Sequence, residues 1–202
     1  MTQPSAPSAD GRARRRLVAG TLAAALTGAA PGALRAQAAP AVGAAAAKAP
    51  PELATDLPGA QLRGSAVMRF FGLHVYDIRL WTTGTAGDPS QPPLALELVY
   101  GRKLVGAQIA SRSMDEMRRV GTVSETQASQ WLAAMTQLFP DVQAGDRLTG
   151  VMQAQGAARF HFNGRLRGDV IDGDFSRLFF GIWLSPRTSE PRLREQLLGL
   201  VR

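Results

Sequence analysis

The chain has 202 residues, 45% of them hydrophobic, and contains no cysteine. This composition excludes disulfides, a lipoprotein anchor, thiolate metal sites and a cysteine nucleophile. Its two histidines, His74 and His161, are too few for most imidazole-rich metal sites, so we predict no metal and no cofactor. The formal net charge is +7, but residues 1–38 hold five of the basic residues and one acid. The remainder has no cluster of Lys and Arg with stacking aromatics, so we expect no nucleic-acid binding.

The first 38 residues have the layout of an export signal. Arg14, Arg15 and Arg16 precede the apolar stretch 17–34, and a cleavage-site pattern with alanine at both outer positions, 36 and 38, follows it. Two arginines, one spacer and two apolar residues also fit the twin-arginine signal of bacteria. We therefore predict export by the twin-arginine machinery, cleavage after Ala38 and a periplasmic location.

A retained membrane anchor is the alternative reading of this segment. Its 18 residues reach the minimum length for a transmembrane helix, but Gly20, Gly28, Pro31 and Gly32 suit such a helix poorly. We expect no stable membrane anchor after cleavage.

Residues 39–58 are rich in alanine and proline, which predicts a flexible linker, and residues 59–202 form one domain. The domain opens with three predicted strands, at 63–71, 73–83 and 94–100. Two short helices follow, at 105–112 and 113–120, the second opened by a capping box at Ser113. Another capping box at Ser124 starts a helix whose apolar face holds Trp131, Leu132, Met135, Leu138 and Phe139.

Three more strands are predicted at 147–153, 158–163 and 165–171, with a hairpin turn at Asn163-Gly164. Asp172 is predicted to cap the next helix, and Ser189 to cap a last helix that runs to Val201. The order of strands, helices, strands and helices predicts an α+β fold, an antiparallel β-sheet covered by α-helices on one side.

Polar side chains on the first two strands are the candidate ligand site. Tyr76 shares one strand face with Ile78 and Leu80, whereas Asp77 and Arg79 share the other. The charged groups could simply pair with each other or with neighbouring strands, since buried charge must be matched. Alternatively, an arginine stands at the end of an apolar pocket to bind a carboxylate or enolate, and Arg69 is the preferred one.

The hairpin from Leu62 to Trp81 resembles the first hairpin of chalcone isomerase-like proteins. Later blocks agree in the same order over nearly the whole domain: Ser113–Arg118, Trp131-Leu132, Phe162–Gly164, Gly181–Leu184 and Leu197–Gly199. The resemblance implies an open-faced sandwich with an apolar ligand cleft between sheet and helices. Plant members isomerise chalcones, and other members of the fold bind fatty acids.

The resemblance also carries the plant catalytic positions onto this chain. The arginine position falls on Arg69 or Met68, and Phe70 and Phe71 stand near the threonine position. The tyrosine position carries Ile109. The asparagine region carries Glu116 or Met117, so the groups that would stabilise a developing enolate are missing.

We therefore predict an exported protein that binds a small apolar or amphiphilic acid, such as a fatty acid. Its tail would occupy the cleft, Arg69 or Arg79 would bind the anionic head, and Tyr76 or Tyr100 would donate a hydrogen bond. One alternative is an isomerase or intramolecular lyase acting on another substrate. The other is a non-catalytic assembly or interaction protein whose cleft is filled by phenylalanine side chains.

Overall fold

The computed structural model describes residues 48–84, 88 and 90–200. The predicted export signal and its cleavage site lie outside them. Six strands and five helices follow one another along the chain: α1 (Leu53–Asp56), β1 (Ala60–Phe70), β2 (Leu73–Thr83), β3 (Leu94–Tyr100), α2 (Gly106–Val120), α3 (Glu125–Leu138), β4 (Arg147–Met152), β5 (Ala158–Phe162), β6 (Arg165–Val170), α4 (Gly173–Leu184) and α5 (Pro191–Leu198).

The six strands form one sheet in the order β1-β2-β3-β4-β5-β6, and every neighbouring pair is antiparallel. Alternation along the strands gives the sheet two different faces. Ile78, Leu98 and Leu148 lie side by side on the face that packs against α2 to α5, which we call the helix face. Trp81, Ala95 and Val151 lie on the opposite, outer face. The predicted antiparallel sheet covered by helices is confirmed.

The Asn163-Gly164 turn joins β5 to β6 as predicted. Asn163 has φ 49° and Gly164 φ 81°, the two positive angles that a type I′ turn requires. The β1–β2 hairpin turns at Phe71 and Gly72, also with positive φ. Near this turn the ladder contains an irregularity: Val75 of β2 has no partner between the pairs Met68–Tyr76 and Arg69–His74.

Residues 106–120 form one helix rather than the two predicted. Ser113 lies inside α2, because the apolar stripe of Ala110, Met114 and Met117 continues through it and packs into the core. Glu116 makes ion pairs with Arg112 and Arg119 instead of capping a helix start.

The other helix ends follow the sequence more closely. The Ser124 capping box starts α3, and Asp172 caps α4 by accepting from the amides of Asp174 and Phe175. On α3, Leu132 is partly exposed and lies outside the buried face to which it was assigned. Helix α5 has Glu190, not Ser189, at its N-cap position and ends at Leu198, because Gly199 adopts the left-handed conformation.

Two glycines let helices approach other backbone closely. A Cβ on Gly64 of β1 would lie 2.3 Å from the Gln196 carbonyl oxygen of α5. A Cβ on Gly106 would lie 2.1 Å from the Phe139 carbonyl oxygen at the end of α3. The start of α2 and the position of α5 over β1 therefore both require glycine.

The end of the predicted linker is ordered rather than flexible. Leu53 and Leu57 are buried against Trp81 on the outer face of the sheet. Glu52 accepts hydrogen bonds from Arg147 at 3.0 Å and from the Thr149 hydroxyl at 2.7 Å. Apolar leucines among the alanines and prolines thus give this segment a surface to bury, so the domain begins before residue 59.

No helix in the described part of the chain is long and apolar enough to cross a membrane. Within the same residues, no three His, Cys, Asp or Glu side chains are grouped so that they could hold a metal ion.

Candidate functional site

A cavity of about 370 Å³ lies between the helix face of the sheet and the helices α2 and α4. Strand residues form its floor, helix residues form its roof, and the segment before α5 closes one side. Its lining is mostly apolar. The lining includes Met68, Phe70, Val75, Tyr76, Leu96, Leu98, Tyr100, Arg102, Gln108, Ile109, Arg112, Glu116, Leu148, Gly150, Phe160, Phe179, Ile182, Trp183, Ser189 and Glu190.

The far end of the cavity is formed by apolar groups. Leu96 and Gly150 are cross-strand partners there, and Phe160, the partner of Gly150 on β5, is fully buried beside them. A Cβ on Gly150 would lie 3.3 Å from the Phe160 ring, so the missing side chain lets the aromatic ring pack close to the sheet. Leu96 and Tyr100 lie four residues apart on β3, about 13 Å along the strand. The cavity is therefore long as well as apolar.

Two phenols stand nearer the hairpin end of the cavity. Tyr76 and Tyr100 are cross-strand partners with ring centroids 6.0 Å apart in an edge-to-face arrangement. The Trp183 indole N–H donates to the Tyr76 hydroxyl at 3.0 Å. The Tyr100 hydroxyl makes no side-chain hydrogen bond within the described residues, although Tyr100 is 97% buried.

Both phenols are neutral at physiological pH. Burial raises the pKa of Tyr76 to about 12, although the hydrogen bond from Trp183 acts in the opposite direction. Burial also raises the pKa of Tyr100, and the neighbouring Tyr76 adds to the effect. A neutral phenol keeps its proton and can donate a hydrogen bond to an oxygen of a bound molecule.

Polar and charged side chains gather at the mouth of the cavity. Arg102 follows β3 and is exposed, with no ion-pair partner among residues 48–84, 88 and 90–200. Arg112 projects from α2 and pairs with the buried carboxylate of Glu116, which also lies 3.3 Å from Arg119. Glu190 lines the same rim. The mouth thus offers two cations, one of them without a carboxylate partner.

Only part of the predicted ligand site comes together. Tyr76 and Tyr100 both line the cavity, as the strand alternation predicted. Arg69 is exposed away from it and donates to the Gly72 carbonyl at 3.4 Å. Alternation along β1 explains this: Met68 pairs with Tyr76, and Met68 and Phe70 both line the cavity, so Arg69 between them faces away.

Arg79 lies on the outer face of the sheet. Its guanidinium is 3.3 Å from the buried Glu97 carboxylate, which also accepts from the Trp81 indole at 3.0 Å. The structural alternative considered for Arg79, a matched ion pair, is therefore the one observed. Neither arginine named from the sequence reaches the cavity.

The arginines that do reach the mouth had a signal in the sequence. Leu96, Leu98 and Tyr100 alternate toward the helix face, and one further step of the same period reaches Arg102. Arg112 follows Gln108 by four residues on α2, so the two share one helix face. The preference for Arg69 rested on its being a basic residue on an otherwise apolar strand, which does not tell which way that strand faces.

The positions carried over from the plant enzymes are also located. Ile109 lines the cavity at the tyrosine position, beside Gln108. Of the two residues that the resemblance offers for the asparagine region, Glu116 lines the cavity, whereas Met117 is fully buried in the core. Ile109 and the ion-paired Glu116 thus give this part of the lining a hydrophobic side chain and a carboxylate, neither of which is the hydroxyl or the amide that the resemblance would require.

Comparison with known proteins agrees with this architecture. The chalcone isomerase-like family matches residues 43–199, and the chain belongs to that family. The match begins inside the segment predicted as a linker, in keeping with the ordered residues 50–57. An uncharacterised protein of Haemophilus influenzae is 27% identical over 139 residues, covering 69% of this chain and 68% of that protein.

A solved structure shares the fold. The crystal structure of a fatty-acid binding protein of Arabidopsis thaliana superposes with a TM-score of 0.53, covering 69% of this chain and 87% of that one. The two chains are 13% identical, so this likeness shows the fold alone. The family and the fold class predicted from the sequence are both confirmed.

Proposed function

We propose that this protein binds a fatty-acid-like amphiphile in the cavity between its sheet and helices. The observation that carries the proposal is the arrangement of the lining: apolar side chains around Leu96 and Phe160 at one end, and the cations Arg102 and Arg112 at the other. The volume of about 370 Å³ lies in the range of small-molecule sites. The long axis suits a chain-like tail with an acid group at the mouth.

Each part of the amphiphile has a partner in this arrangement. The tail contacts Leu98, Phe179 and Ile182, which removes its apolar surface from water. The carboxylate lies near Arg102, and the free hydroxyl of Tyr100 donates to it if it enters more deeply. The fatty-acid binding protein with the same fold supports this class of ligand.

The isomerase alternative has less support from the residues. Arg69 is outside the cavity, and Ile109 replaces the hydroxyl that the resemblance would require. The assembly-protein alternative expects a cleft filled by phenylalanines. Phe71, however, is 91% exposed, Phe160 only borders the cavity, and the space between sheet and helices is open.

Binding measurements with paired ligands test the proposal. Titration calorimetry compares a long-chain fatty acid with the alcohol of equal length, using wild type, Arg102→Gln and the control Arg165→Gln. Arg165 is exposed on β6 and lies outside the cavity lining. Because a hydrogen bond to a charged group contributes about 1.5–3 kcal/mol, we expect Arg102→Gln to weaken acid binding by about tenfold or more. Alcohol binding and the control remain unchanged.

The same measurement can contradict the proposal. If wild type binds neither ligand, the cavity is not an amphiphile site. If it binds acid and alcohol equally and Arg102→Gln changes neither, the acid head is not held at the mouth.

We also propose that the protein is exported to a bacterial periplasm by the twin-arginine route. The support is the run Arg14-Arg15-Arg16 ahead of an apolar stretch and the alanines around Gln37. Replacing the three arginines by lysines keeps the charge but removes the recognition feature. We expect the variant to stay in the cytoplasmic fraction of cells, whereas wild type reaches the periplasm and is shortened by cleavage of the signal. Finding the variant in the periplasm would contradict this route.

A further inference from the structure

The tip of the β1–β2 hairpin exposes three large apolar side chains. Phe70 is 58%, Phe71 91% and Leu73 56% exposed, and Gly72 completes the turn. We call these four residues the hairpin tip. Strand β3 pairs with β2 only from Tyr76 onward, so the hairpin tip extends past its neighbouring strand. Contiguous exposed apolar groups of this kind mark a contact surface.

The hairpin tip is continuous with the mouth of the cavity. Phe70 lines that mouth, as does Val75 on the other strand of the hairpin. The Gly101 amide donates to the Val75 carbonyl at 2.8 Å, which places Arg102 and Lys103 beside the base of the hairpin. Whatever covers the tip therefore also covers the entrance to the cavity.

The charges around the tip favour an anionic partner. Arg69, Arg102 and Lys103 are exposed, and none has an ion-pair partner in the described part of the chain. The nearby carboxylate of Asp77 pairs with His74 at 3.2 Å. Glu116 pairs with two arginines and leaves Glu190 as the other acid at the rim. Positive charge thus exceeds negative charge around the tip.

The size of the hairpin tip favours a lipid surface over a second protein. Two phenylalanines and one leucine bury about 500 Å² or less when covered, since an aromatic side chain buries about 150–250 Å². A stable protein interface needs about 1,200–2,000 Å². The hairpin tip, a small apolar surface beside cations, instead suits the surface of an anionic bilayer. There the apolar groups enter the acyl region and the cations contact the headgroups.

We propose that the hairpin tip docks reversibly on anionic lipid bilayers and brings the cavity mouth to the membrane surface. This proposal rests on the proposed function, because it supplies the route by which an amphiphile enters the cavity. Phe71 and Leu73 enter the interface, and Arg69, Arg102 and Lys103 contact the headgroups. The partner is the bilayer surface, and the ligand is drawn from it.

Vesicle flotation of the full chain tests the docking. The vesicles contain phosphatidylethanolamine and phosphatidylglycerol, with pure phosphatidylcholine as the uncharged comparison. Phe71→Asn is the test variant, because asparagine tolerates the positive φ of 48° at this position. Ile171→Asn is the matched control, since Ile171 is 89% exposed beyond β6, at the opposite edge and end of the sheet. The N-terminal segment is the same in every variant.

We expect wild type and Ile171→Asn to float with anionic vesicles and to bind uncharged ones more weakly. Phe71→Asn should reduce vesicle binding about tenfold, the effect of removing one buried aromatic side chain from the interface. Fatty-acid affinity without vesicles stays unchanged in both variants, because neither side chain lines the cavity.

Three results would overturn the docking proposal. Wild type could fail to bind anionic vesicles, or Phe71→Asn could bind as wild type does. Alternatively, sedimentation could show a dimer that Phe71→Asn dissociates, which assigns the tip to a second copy of the chain. If wild type binds no fatty acid in the absence of vesicles, the proposed function is refuted instead, so the two failures are distinguishable.

Discussion

The two phenols of the cavity owe their state to burial. The chain contains two tyrosines, and both Tyr76 and Tyr100 line the cavity. Their pKa values are raised because a phenolate would lose its hydration between the sheet and the helices. Since no other residue of the chain is a tyrosine, tyrosinate absorbance reports on this site alone.

An alkaline titration tests the state of the phenols. A tyrosine in the unfolded chain titrates near pH 10, whereas the folded protein holds the Tyr76 proton to about pH 12. The stabilisation is complete below pH 10 and is lost as pH rises from 10 through 12, because unfolding releases the proton. We expect tyrosinate absorbance in the folded protein to lag behind that in denaturant.

The variant Tyr76→Phe is the control for this titration. It should make the fall in the free energy of unfolding between pH 10 and 12 shallower, by up to about 1.4 kcal/mol per pH unit. Absorbance that rises near pH 10 in the folded protein, with an unchanged slope in Tyr76→Phe, would show that the phenols are hydrated.

At the residue scale, alternation predicted the tyrosines but not the cations. Tyr76 and Tyr100 follow from period-2 patterns that run without interruption. Arg69 lies between Met68 and Phe70, which both line the cavity, so alternation along β1 turns Arg69 to the opposite face. Which face of β1 meets the helices depends on its register with β2, and no residue type signals the unpaired Arg63 and Val75 that shift this register. The direction of Arg69 could therefore not be predicted from the sequence.

At the scale of elements, the outer face of the sheet depends on the segment ahead of β1. Glu52 joins this segment to Arg147 and Thr149 on β4. Asp56 joins it to β5 by pairing with Arg159 at 3.0 Å and with His161. Helix α1 has four residues and could not stand alone in water, so these contacts and its two buried leucines hold it in place.

Removing one member of this buried cluster tests the role of the segment. Glu52→Ala leaves the Arg147 guanidinium without its nearest carboxylate, since Glu97 is 3.9 Å away. We expect a loss of about 3 kcal/mol in the free energy of unfolding, measured by urea denaturation. The control Glu125→Ala breaks an exposed pair with Arg118 and should leave stability nearly unchanged. Equal effects in both variants would mean that the segment is not part of the folded domain.

The elements themselves were largely predictable, and their ends less so. All six strands and the helices α3 and α4 lie where periodicity and caps placed them. The supposed break at Ser113 was wrong because tertiary packing of the Ala110–Met117 stripe outweighs a local capping signal. The predicted linker ends too late in the chain, because composition cannot show that Leu53 and Leu57 pack against Trp81 on the outer face of the sheet.

At the scale of the whole molecule, the sheet separates two tasks. Its outer face carries a charged cluster and a small apolar core, both covered by the segment ahead of β1. Its helix face carries the main core and the cavity. The order of strands and helices predicted this layered architecture, but the open space within it depends on how side chains of α2 and α4 meet the sheet, which no local pattern encodes.

A variant that fills the cavity with a side chain tests whether this space holds the ligand. Leu98→Trp adds a bulky ring to a residue that lines it, whereas Leu132→Trp adds the same ring to a partly exposed position on α3 outside the lining. We expect the first variant to lose amphiphile binding and the second to keep it, with circular dichroism confirming that both are folded. Undiminished binding in Leu98→Trp would place the ligand elsewhere.

The most direct test of the central claim is native mass spectrometry of the full chain, purified from a bacterial host without detergent, with mass analysis of what it releases. We expect one acidic amphiphile per chain in wild type and Leu132→Trp, and little in Leu98→Trp. A bare polypeptide mass in wild type, unchanged after incubation with long-chain fatty acids, would contradict it.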